Sequence, residues 1–198
     1  MNHLQQLGQT DIYLIDQIMK GRYQNPFEKI LDAGCGPGRN LDWFLENGFD
    51  IFGIDRNREN IDQLLVKYPK QPKRFILGEL DAIPFPDQHF DHIISSAVLH
   101  FAASRNHFFK LLDEHLRVLK TDGTLFIRLA SDIGLPHKEA LNQDGVFLIP
   151  DGSSRFLLTR ELLGEILKSF PVRMLEPIKT TNVNDIRCMS TLMLTKVL

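Results

Sequence analysis

The chain is poor in cysteine: only Cys35 and Cys188 occur among its 198 residues. Two thiols are too few for a disulfide framework, and neither stands in a CxxC or Cys/His pattern with the spacing of a zinc site. Cys35 lies between two glycines, where a small side chain fits a tight loop, and no base is adjacent to it in the sequence. We therefore favour a structural thiol there over a nucleophile, and we expect no metal ion.

Long apolar runs and an excess of positive charge are also missing. No run approaches the roughly eighteen apolar residues that a membrane span requires, and the N-terminus lacks the apolar segment of a signal peptide. The formal net charge of -2 argues against a general nucleic-acid or membrane-surface binder, and the basic stretch Lys67–Arg74 is interpreted as a solvated connection. These absences favour a cytoplasmic protein without a membrane partner. With 198 residues, 43% of them hydrophobic, the chain suits one compact domain.

The most informative stretch is ILDAGCGPGRN, residues 30–40. Its apolar start predicts a strand, its glycines predict a tight loop, and the residues that follow recur at helical spacing. The glycines are Gly34, Gly36 and Gly38. Glycine permits positive φ angles and lets the backbone approach a ligand closely. A dinucleotide-binding fingerprint needs its third glycine three positions after the second, where this chain has Arg39, so a nicotinamide-dependent oxidoreductase is disfavoured.

This glycine spacing, with an acid shortly before the first glycine, resembles the first motif of class I S-adenosylmethionine-dependent methyltransferases. The resemblance implies that the loop backbone holds the methionine end of the cofactor and that the acid lies near its amino group. It assigns cofactor binding to Asp32, Ala33, Gly34, Cys35, Gly36, Gly38 and Asn40. A narrower resemblance, carried by the GRN end of the loop and the C-terminal RCMSTLMLTK, is to the tellurite-resistance type of small-molecule methyltransferase.

A second acid follows the next predicted strand, about twenty residues beyond the central glycine of the loop, where a ribose-binding acid is expected. This acid is Asp55, whose carboxylate can accept hydrogen bonds from both ribose hydroxyls. Arg56 beside it is a further cofactor-binding candidate. The alternative, that Asp55 caps the next helix, is weaker because Asn57 is available for that role.

A third acid, Asp81, follows the short third predicted strand. In the family that the chain resembles, an acid at this place meets the adenine amino group. The resemblance therefore assigns Asp81 to the adenine, with Ala82 and Ile83 lining the ring. The segment PFPDQHFD then matches the family's usual lead into the fourth strand. The last cofactor candidates, Ser96 and Ala97, follow that strand at the edge where open α/β sheets bind ligands.

Two residues are candidates for contact with the methyl acceptor. His100 has an unperturbed pKa near neutrality, so it can take a proton from an acceptor or orient it; alternatively it packs under the cofactor with its nitrogens satisfied. We predict that it lies near the site without an acid–base role. Arg128 interrupts the apolar fifth predicted strand, and a charge there is costly unless paired. It either binds an anionic substrate or neutralises a carboxylate inside the fold.

Two segments are predicted to cover the site. Residues 1–26 contain a helix that Thr10 can cap; it either forms a lid or packs on the core. Residues 131–158 lack a clear pattern, and a connection this long is usually functional or disordered, so we predict a substrate-side cover. The candidate lid residues are Tyr13, Arg22 and Tyr23, and the candidate cover contacts are His137, Phe147 and Arg155.

Alternating strand and helix signals indicate an α/β fold: a Rossmann-like, doubly wound, seven-stranded sheet, mostly parallel, with an antiparallel C-terminal edge hairpin. The hairpin is predicted from residues 172–176 and 186–197, joined through a polar turn at 181–185. The resemblance implies methyl transfer from S-adenosyl-L-methionine, which leaves S-adenosyl-L-homocysteine, to a small-molecule acceptor. Two alternatives stay open: a cofactor-binding regulatory or partner module, and an RNA or protein acceptor. Nucleic acid is disfavoured because SSAVLHF lacks the Asn-Pro-Pro-aromatic sequence of amino-methylating DNA enzymes.

Overall fold

The computed structural model describes residues 7–198, so the first six residues of the predicted lid segment lie outside it. The strands are β1 (Lys29–Ala33), β2 (Asp50–Asp55), β3 (Phe75–Leu77), β4 (Phe90–Ser96), β5 (Leu119–Ala130), β6 (Glu139–Ala140), β7 (Val146–Leu148), β8 (Ser154–Phe156), β9 (Val172–Met174), β10 (Lys179–Val183) and β11 (Arg187–Lys196). The α-helices are α1 (Ile12–Met19), α2 (Asp42–Glu46), α3 (Arg58–Lys67), α4 (Arg105–Val118) and α5 (Arg160–Ser169). Short 3-10 helices lie at Pro72–Arg74 and Leu99–Phe101.

The central sheet has the strand order β10-β11-β5-β4-β1-β2-β3. The strands β1 to β5 run parallel to one another, whereas β11 runs antiparallel to both β5 and β10. The short β9 also pairs with β11, and because β5 occupies the other side of β11, β9 and β10 share one edge position. The sheet therefore has seven positions, which confirms the predicted mostly parallel sheet with an antiparallel C-terminal pair.

The first strand of the C-terminal hairpin lies later in the chain than predicted: it is β10, whereas the strand predicted at 172–176 is the shorter β9, which pairs with the far end of β11. Residues 181–183, predicted as part of a turn, belong to β10. The chain turns at Asn184 and Asp185, whose φ angles are 50° and 57°, and the Ile186 N–H donates to the Val183 carbonyl at 3.1 Å. Two consecutive positive φ angles are typical of a tight hairpin turn. The polar residues of β10 are tolerated because this strand lies at the sheet edge, partly exposed.

Helices cover both faces of the sheet, as a doubly wound fold requires. Side chains alternate along a strand, so neighbouring residues of one strand point to opposite faces. Leu31 packs in an apolar cluster with residues of α4 and α5, whereas Ile30 packs in a second cluster with residues of α1, α2 and α3. Ile93 and Ile94 of β4 divide in the same way. The ligand edge of the sheet is thereby held between two apolar layers.

Residues 131–158 contain a small antiparallel sheet of order β6-β7-β8. This segment is fastened to the end of β5, because the Leu158 N–H donates to the Ala130 carbonyl at 3.0 Å. Ile149 and Leu157 pack with Ala130 and Met189 in a third apolar cluster. The segment predicted as a cover therefore lies against the carboxyl end of β5.

Cys35 and Cys188 are both buried and unbonded to each other. Within residues 7–198, no group of three or more His, Cys, Asp or Glu side chains is arranged to hold a metal ion. None of the helices in the same part of the chain is long and apolar enough to cross a membrane.

Candidate functional site

The glycine loop turns sharply after β1 and is fastened to β2. The Gly34 and Cys35 N–H groups both donate to the Ile54 carbonyl, at 2.8 and 3.1 Å. The φ angles of Gly34, Gly36 and Gly38 are 79°, 53° and 81°, values that other residues adopt only with strain. Because these turns occupy the start of the predicted helix, α2 begins only at residue 42 and is five residues long.

The three loop glycines differ in what surrounds them. A Cβ on Gly34 would lie 2.5 Å from Val98 Cγ2, and one on Gly38 would lie 2.4 Å from Leu64 Cδ2. These two glycines are required by close packing. A Cβ on Gly36 would meet no heavy atom within 4 Å. The backbone at Gly36 therefore borders open space that a side chain would fill, as expected of a loop that cradles a ligand.

Asp55 is the last residue of β2, and its carboxylate binds the backbone of the glycine loop. Its Oδ2 accepts the Gly36 N–H at 2.8 Å, and its Oδ1 accepts the Asn57 N–H at 2.8 Å. Asn57, not Asp55, caps α3, because the Asn57 side chain accepts the Glu59 N–H. The carboxylate of Asp55 is thus left at the ligand edge of the sheet, oriented by the loop that it supports.

Asp32, at the end of β1, is almost fully buried, with 1% of its surface exposed. Asn40 Nδ2 lies 3.5 Å from Asp32 Oδ2, and Asn40 Oδ1 accepts the Asp11 N–H at 3.1 Å. Burial raises the pKa of Asp32 to about 7, although the nearby Arg39 charge and the Asn40 hydrogen bond act in the opposite direction. A cationic group that binds beside this carboxyl would stabilise its ionised form.

A cavity of about 190 Å³, here called the loop cavity, opens beside the glycine loop. It is lined by Gly34, Asp55, Arg56, Gly78, Glu79, Leu80, Ala97, Val98, Phe101, His107 and Leu111. Four of these, Gly34, Asp55, Arg56 and Ala97, are among the cofactor residues that the sequence predicts. They come from three different strand ends, which meet at one edge because parallel strands share their carboxyl ends.

Of the three predicted acids, only Asp55 belongs to this lining, and Asp32 and Asp81 lie outside it. Asp81 pairs with Lys110 at 2.8 Å, and that hydrogen bond lowers the pKa of Asp81. Ala82 is exposed, whereas Ile83 is buried in the apolar cluster under α4. Sequence reasoning missed Glu79, which lines the cavity two residues after the end of β3. Its position directly after a strand was the signal that could have identified it.

A second cavity of about 330 Å³, here called the arginine cavity, lies next to the first. It is lined by Ala97, His100, Phe101, Arg128, Ala130, Ile149, Asp151, Arg155, Val183, Arg187 and Met189. Ala97 and Phe101 line both cavities. Ala97 has a φ angle of 63°, and its N–H donates to the Arg128 carbonyl at 2.7 Å. This unusual conformation turns the chain between the two cavities.

His100 is fixed in the wall of the arginine cavity. Its Nδ1 lies 3.1 Å from the Ala130 N–H and accepts that hydrogen bond, so in the neutral ring the proton is on Nε2. Burial lowers the pKa of His100 to about 4, and the charges of Arg155, Arg128 and Arg187 act in the same direction. His100 is therefore neutral at pH 7 and presents a donor.

Arg128 lies beside a carboxylate inside the fold, as one of the two sequence expectations states, and its role towards a substrate stays a prediction. It lines the arginine cavity, and its Nη1 lies 3.5 Å from Asp11 Oδ2. Its guanidinium also lies 5.1 Å from the centre of the Tyr13 ring. Asp11 accepts a hydrogen bond from Ser96 Oγ at 2.8 Å and lies 3.5 Å from Arg39. The start of α1 is thereby tied to the ends of β4 and β5.

The six residues predicted in the lid and the cover divide into two groups. Arg155 lines the arginine cavity and Tyr13 contacts Arg128. The other four lie away from both cavity linings: Arg22 near Glu176, Tyr23 in the core beside Phe44, His137 on the surface and Phe147 against the apolar cluster at the end of β5. Asp11, rather than Thr10, caps α1, because its side chain accepts the Tyr13 N–H.

Comparison with known proteins gives the same family in sequence and in structure. Residues 31–127 match the family model of the methyltransferase domain. Over 131 residues the chain is 25% identical to a malonyl-[acyl-carrier protein] O-methyltransferase of Enterobacter lignolyticus, a match that covers 66% of this chain and 50% of that protein. The chain thus spans about half the length of the curated relatives it matches.

Two solved structures show the shared fold. A SAM-dependent methyltransferase from Methanosarcina mazei superposes with a TM-score of 0.69 at 18% identity, covering 91% of this chain and 97% of that chain. A 1,6-didemethyltoxoflavin-N1-methyltransferase from Burkholderia thailandensis, solved with 1,6-didemethyltoxoflavin and S-adenosylhomocysteine, gives a TM-score of 0.67 at 18% identity, over 93% and 76% of the two chains. S-adenosylmethionine is the cofactor of this family. With the sheet order described above, these matches show a methyltransferase domain over residues 31–127 and a fold shared with S-adenosylmethionine-dependent methyltransferases.

Proposed function

We propose that this chain transfers a methyl group from S-adenosylmethionine to a small-molecule acceptor that occupies the arginine cavity. The observation that carries the proposal is that the two cavities share the lining residues Ala97 and Phe101. Ligands that fill both cavities would meet at this boundary, which is the condition for direct transfer between them. The arginine cavity, at about 330 Å³, is at the small end of the range for ligand pockets.

Bound S-adenosylmethionine supplies a methyl group on a positively charged sulfur, which is an activated electrophile. Asp55 would hold the ribose hydroxyls, since each carboxylate oxygen can accept more than one hydrogen bond. Asp32 would face the amino group of the methionine end. The open space at Gly36 and the raised pKa of the buried Asp32 carboxyl support these roles. Glu79, which lines the loop cavity, is a further cofactor contact in this proposal.

The remaining contribution of the chain is alignment of the acceptor and exclusion of water. His100 would donate from Nε2 to the acceptor, because its Nδ1 is engaged with the Ala130 N–H. A ring with a pKa of about 4 is a poor base at neutral pH, so this role is orientation rather than proton removal. Residues 131–158 would shield this side of the site, since Ile149 and Arg155 from that segment line the cavity.

The proposal is tested with S-adenosylmethionine that carries a labelled methyl group. The purified protein is incubated with this compound and a cell extract, and the extract is then separated into small molecules, proteins and nucleic acids. We expect label in the small-molecule fraction, and none there with an Asp55→Ala variant. Label confined to proteins or RNA would contradict the proposed acceptor class, and no transfer despite cofactor binding would favour a binding module.

A further inference from the structure

We propose that the methyl acceptor is a small carboxylic acid whose carboxylate is bound by the arginines of the arginine cavity. This inference rests on the proposed function and specifies the substrate class of that same site. Three guanidinium groups, those of Arg128, Arg155 and Arg187, line a cavity of about 330 Å³. Guanidinium groups bind carboxylates through paired hydrogen bonds, and Arg is the preferred residue for that recognition.

Positive charge in this cavity exceeds the negative charge that faces it. Asp11 lies 3.5 Å from Arg128, and Asp151 belongs to the cavity lining. These two carboxylates can offset two of the three guanidinium groups. The histidine in the wall adds no charge at pH 7, because burial lowers its pKa to about 4. Because Asp11 is shared between Arg128 and Arg39, at 3.5 Å from each, at least one positive charge is left in the cavity, which favours an anionic ligand.

Arg128 has an unsatisfied hydrogen-bonding group at this place. Its side chain is 20% exposed, and its Nε is buried without a hydrogen-bond partner in residues 7–198. A buried donor without a partner is costly, by about 1–3 kcal/mol in general. A carboxylate oxygen can bind the exposed part of this guanidinium, and a rotation of the Arg128 side chain would bring the Nε–H to the second oxygen.

Arg155 is held in position before any ligand binds. Its guanidinium lies 4.8 Å from the centre of the Phe101 ring, and its Nη1 donates to the Ser154 carbonyl at 2.8 Å. Stacking on an aromatic ring and a backbone hydrogen bond restrict the side chain, so less freedom is lost when a ligand binds. Phe101 also borders the loop cavity, so this arginine would hold the acceptor at the boundary between the two cavities.

The remaining lining indicates what the rest of the acceptor is like. Ile149, Val183 and Met189 place apolar side chains around the arginines. Phe101, half-exposed at 52%, adds an aromatic face. A ligand that fills this cavity therefore has an apolar body beside its acid group, as in an aromatic or short aliphatic carboxylic acid. A highly hydrated ligand such as a sugar would leave its hydroxyl groups against apolar side chains.

The test measures binding of matched acids and amides to protein saturated with S-adenosylhomocysteine. Benzoate, phenylacetate and hexanoate are titrated by calorimetry, and benzamide, phenylacetamide and hexanamide serve as neutral counterparts. We expect at least one acid to bind at least tenfold more tightly than its amide. Arg155→Gln and Arg187→Gln should each weaken that acid about tenfold, while S-adenosylhomocysteine binds as in the wild type.

Arg173→Gln is the matched control, because Arg173 is an exposed arginine on β9 and is absent from the cavity lining. It should leave binding of the acid unchanged. Equal binding of acids and amides, no binding of any acid, or equal effects of all three substitutions would overturn the carboxylate assignment. Failure of S-adenosylhomocysteine itself to bind would instead contradict the proposed function, so the two failures are distinguishable.

Discussion

The Gly36→Ala variant should lose little stability but much affinity for the cofactor, so it tests the binding role of the glycine loop separately from folding. Gly36 has a φ angle of 53°, and an added Cβ would meet no heavy atom within 4 Å. The substitution should therefore lower the free energy of unfolding only through the strain of alanine in a left-handed conformation, which costs about 1–2 kcal/mol. For a chain of this size, that corresponds to a decrease in Tm of roughly 2–8 °C. The variant should remain folded at room temperature.

The effect on binding should be larger than this loss of stability suggests. If the cofactor occupies the space beside Gly36, the new methyl group intrudes on it, and overpacking costs about 1–3 kcal/mol. That range corresponds to about 5- to 150-fold weaker binding. Thermal unfolding gives the change in Tm, and calorimetric titration with S-adenosylhomocysteine gives the change in Kd. A Kd within twofold of the wild-type value would refute the assignment of this space to the cofactor.

Gly164→Ala is the control for the geometric reasoning. Gly164 lies within α5, and a Cβ there would also meet no heavy atom within 4 Å. Alanine is favoured over glycine in a helix, so this variant should gain about 0.5–1 kcal/mol in free energy of unfolding. Its affinity for S-adenosylhomocysteine should equal that of the wild type. A loss of stability at Gly164 would show that open space around a glycine is a poor guide in this protein.

Three further predictions concern Asp55 at the ligand edge, Phe44 in the core and the buried His115. Asp55→Asn should weaken S-adenosylhomocysteine binding at least tenfold, because an amide side chain cannot accept hydrogen bonds from both the Gly36 and the Asn57 N–H groups. Calorimetric titration measures the Kd, and an unchanged value would count against the ribose role of Asp55. Phe44→Ala should lower the free energy of unfolding by about 3–5 kcal/mol, since Phe44 is fully buried; a loss below 1 kcal/mol in urea unfolding would contradict the packing. Burial lowers the pKa of His115 from 6.5 to about 4, so the unfolded chain binds a proton that the folded chain does not, and stability should fall as pH drops below about 6.5. This group alone accounts for about 2 kcal/mol between pH 7 and pH 5, and a His115→Gln variant with the same pH dependence as the wild type would refute it.

The sequence was sufficient to predict the sheet and to place Asp55 at its ligand edge, while the cofactor roles of Asp32 and Asp55 stay predictions. Glycine spacing indicates backbone conformation directly, because the positive φ angles at Gly34, Gly36 and Gly38 disfavour most other residue types. Asp55 was identifiable because it follows a strongly apolar strand whose end must lie at the ligand edge. In both cases a local physical requirement fixes the residue type at a known distance along the chain.

The third acid shows where that reasoning reaches its limit. Glu79 and Asp81 both follow β3 within four residues, and the alternation of their side chains depends on the path of the backbone. The structure turns Glu79 into the loop cavity and pairs Asp81 with Lys110. An ion pair between residues 29 positions apart is invisible to local sequence patterns. The adenine role of Asp81 stays a prediction, and Glu79 is now a competing candidate.

The arginine cavity was the least predictable part of the site. Its walls come from the ends of β4, β5, β10 and β11, from the 3-10 helix Leu99–Phe101 and from residues 131–158. The strands within residues 131–158 are only two or three residues long. Strands so short carry no usable alternation of apolar and polar residues. Arg128 stood out because a charge interrupts an apolar run, whereas Arg187 follows a polar turn and gives no comparable signal. Their convergence results from tertiary packing alone.

The central claim is that the loop cavity binds S-adenosylmethionine with Asp55 on the sugar and Asp32 near the amino group. A crystal structure with S-adenosylhomocysteine bound tests it most directly. We expect the nucleoside to lie beside Gly36, with its ribose hydroxyls within hydrogen-bonding distance of Asp55. Bound compound at any other place on the chain, or none at saturating concentration, would contradict it.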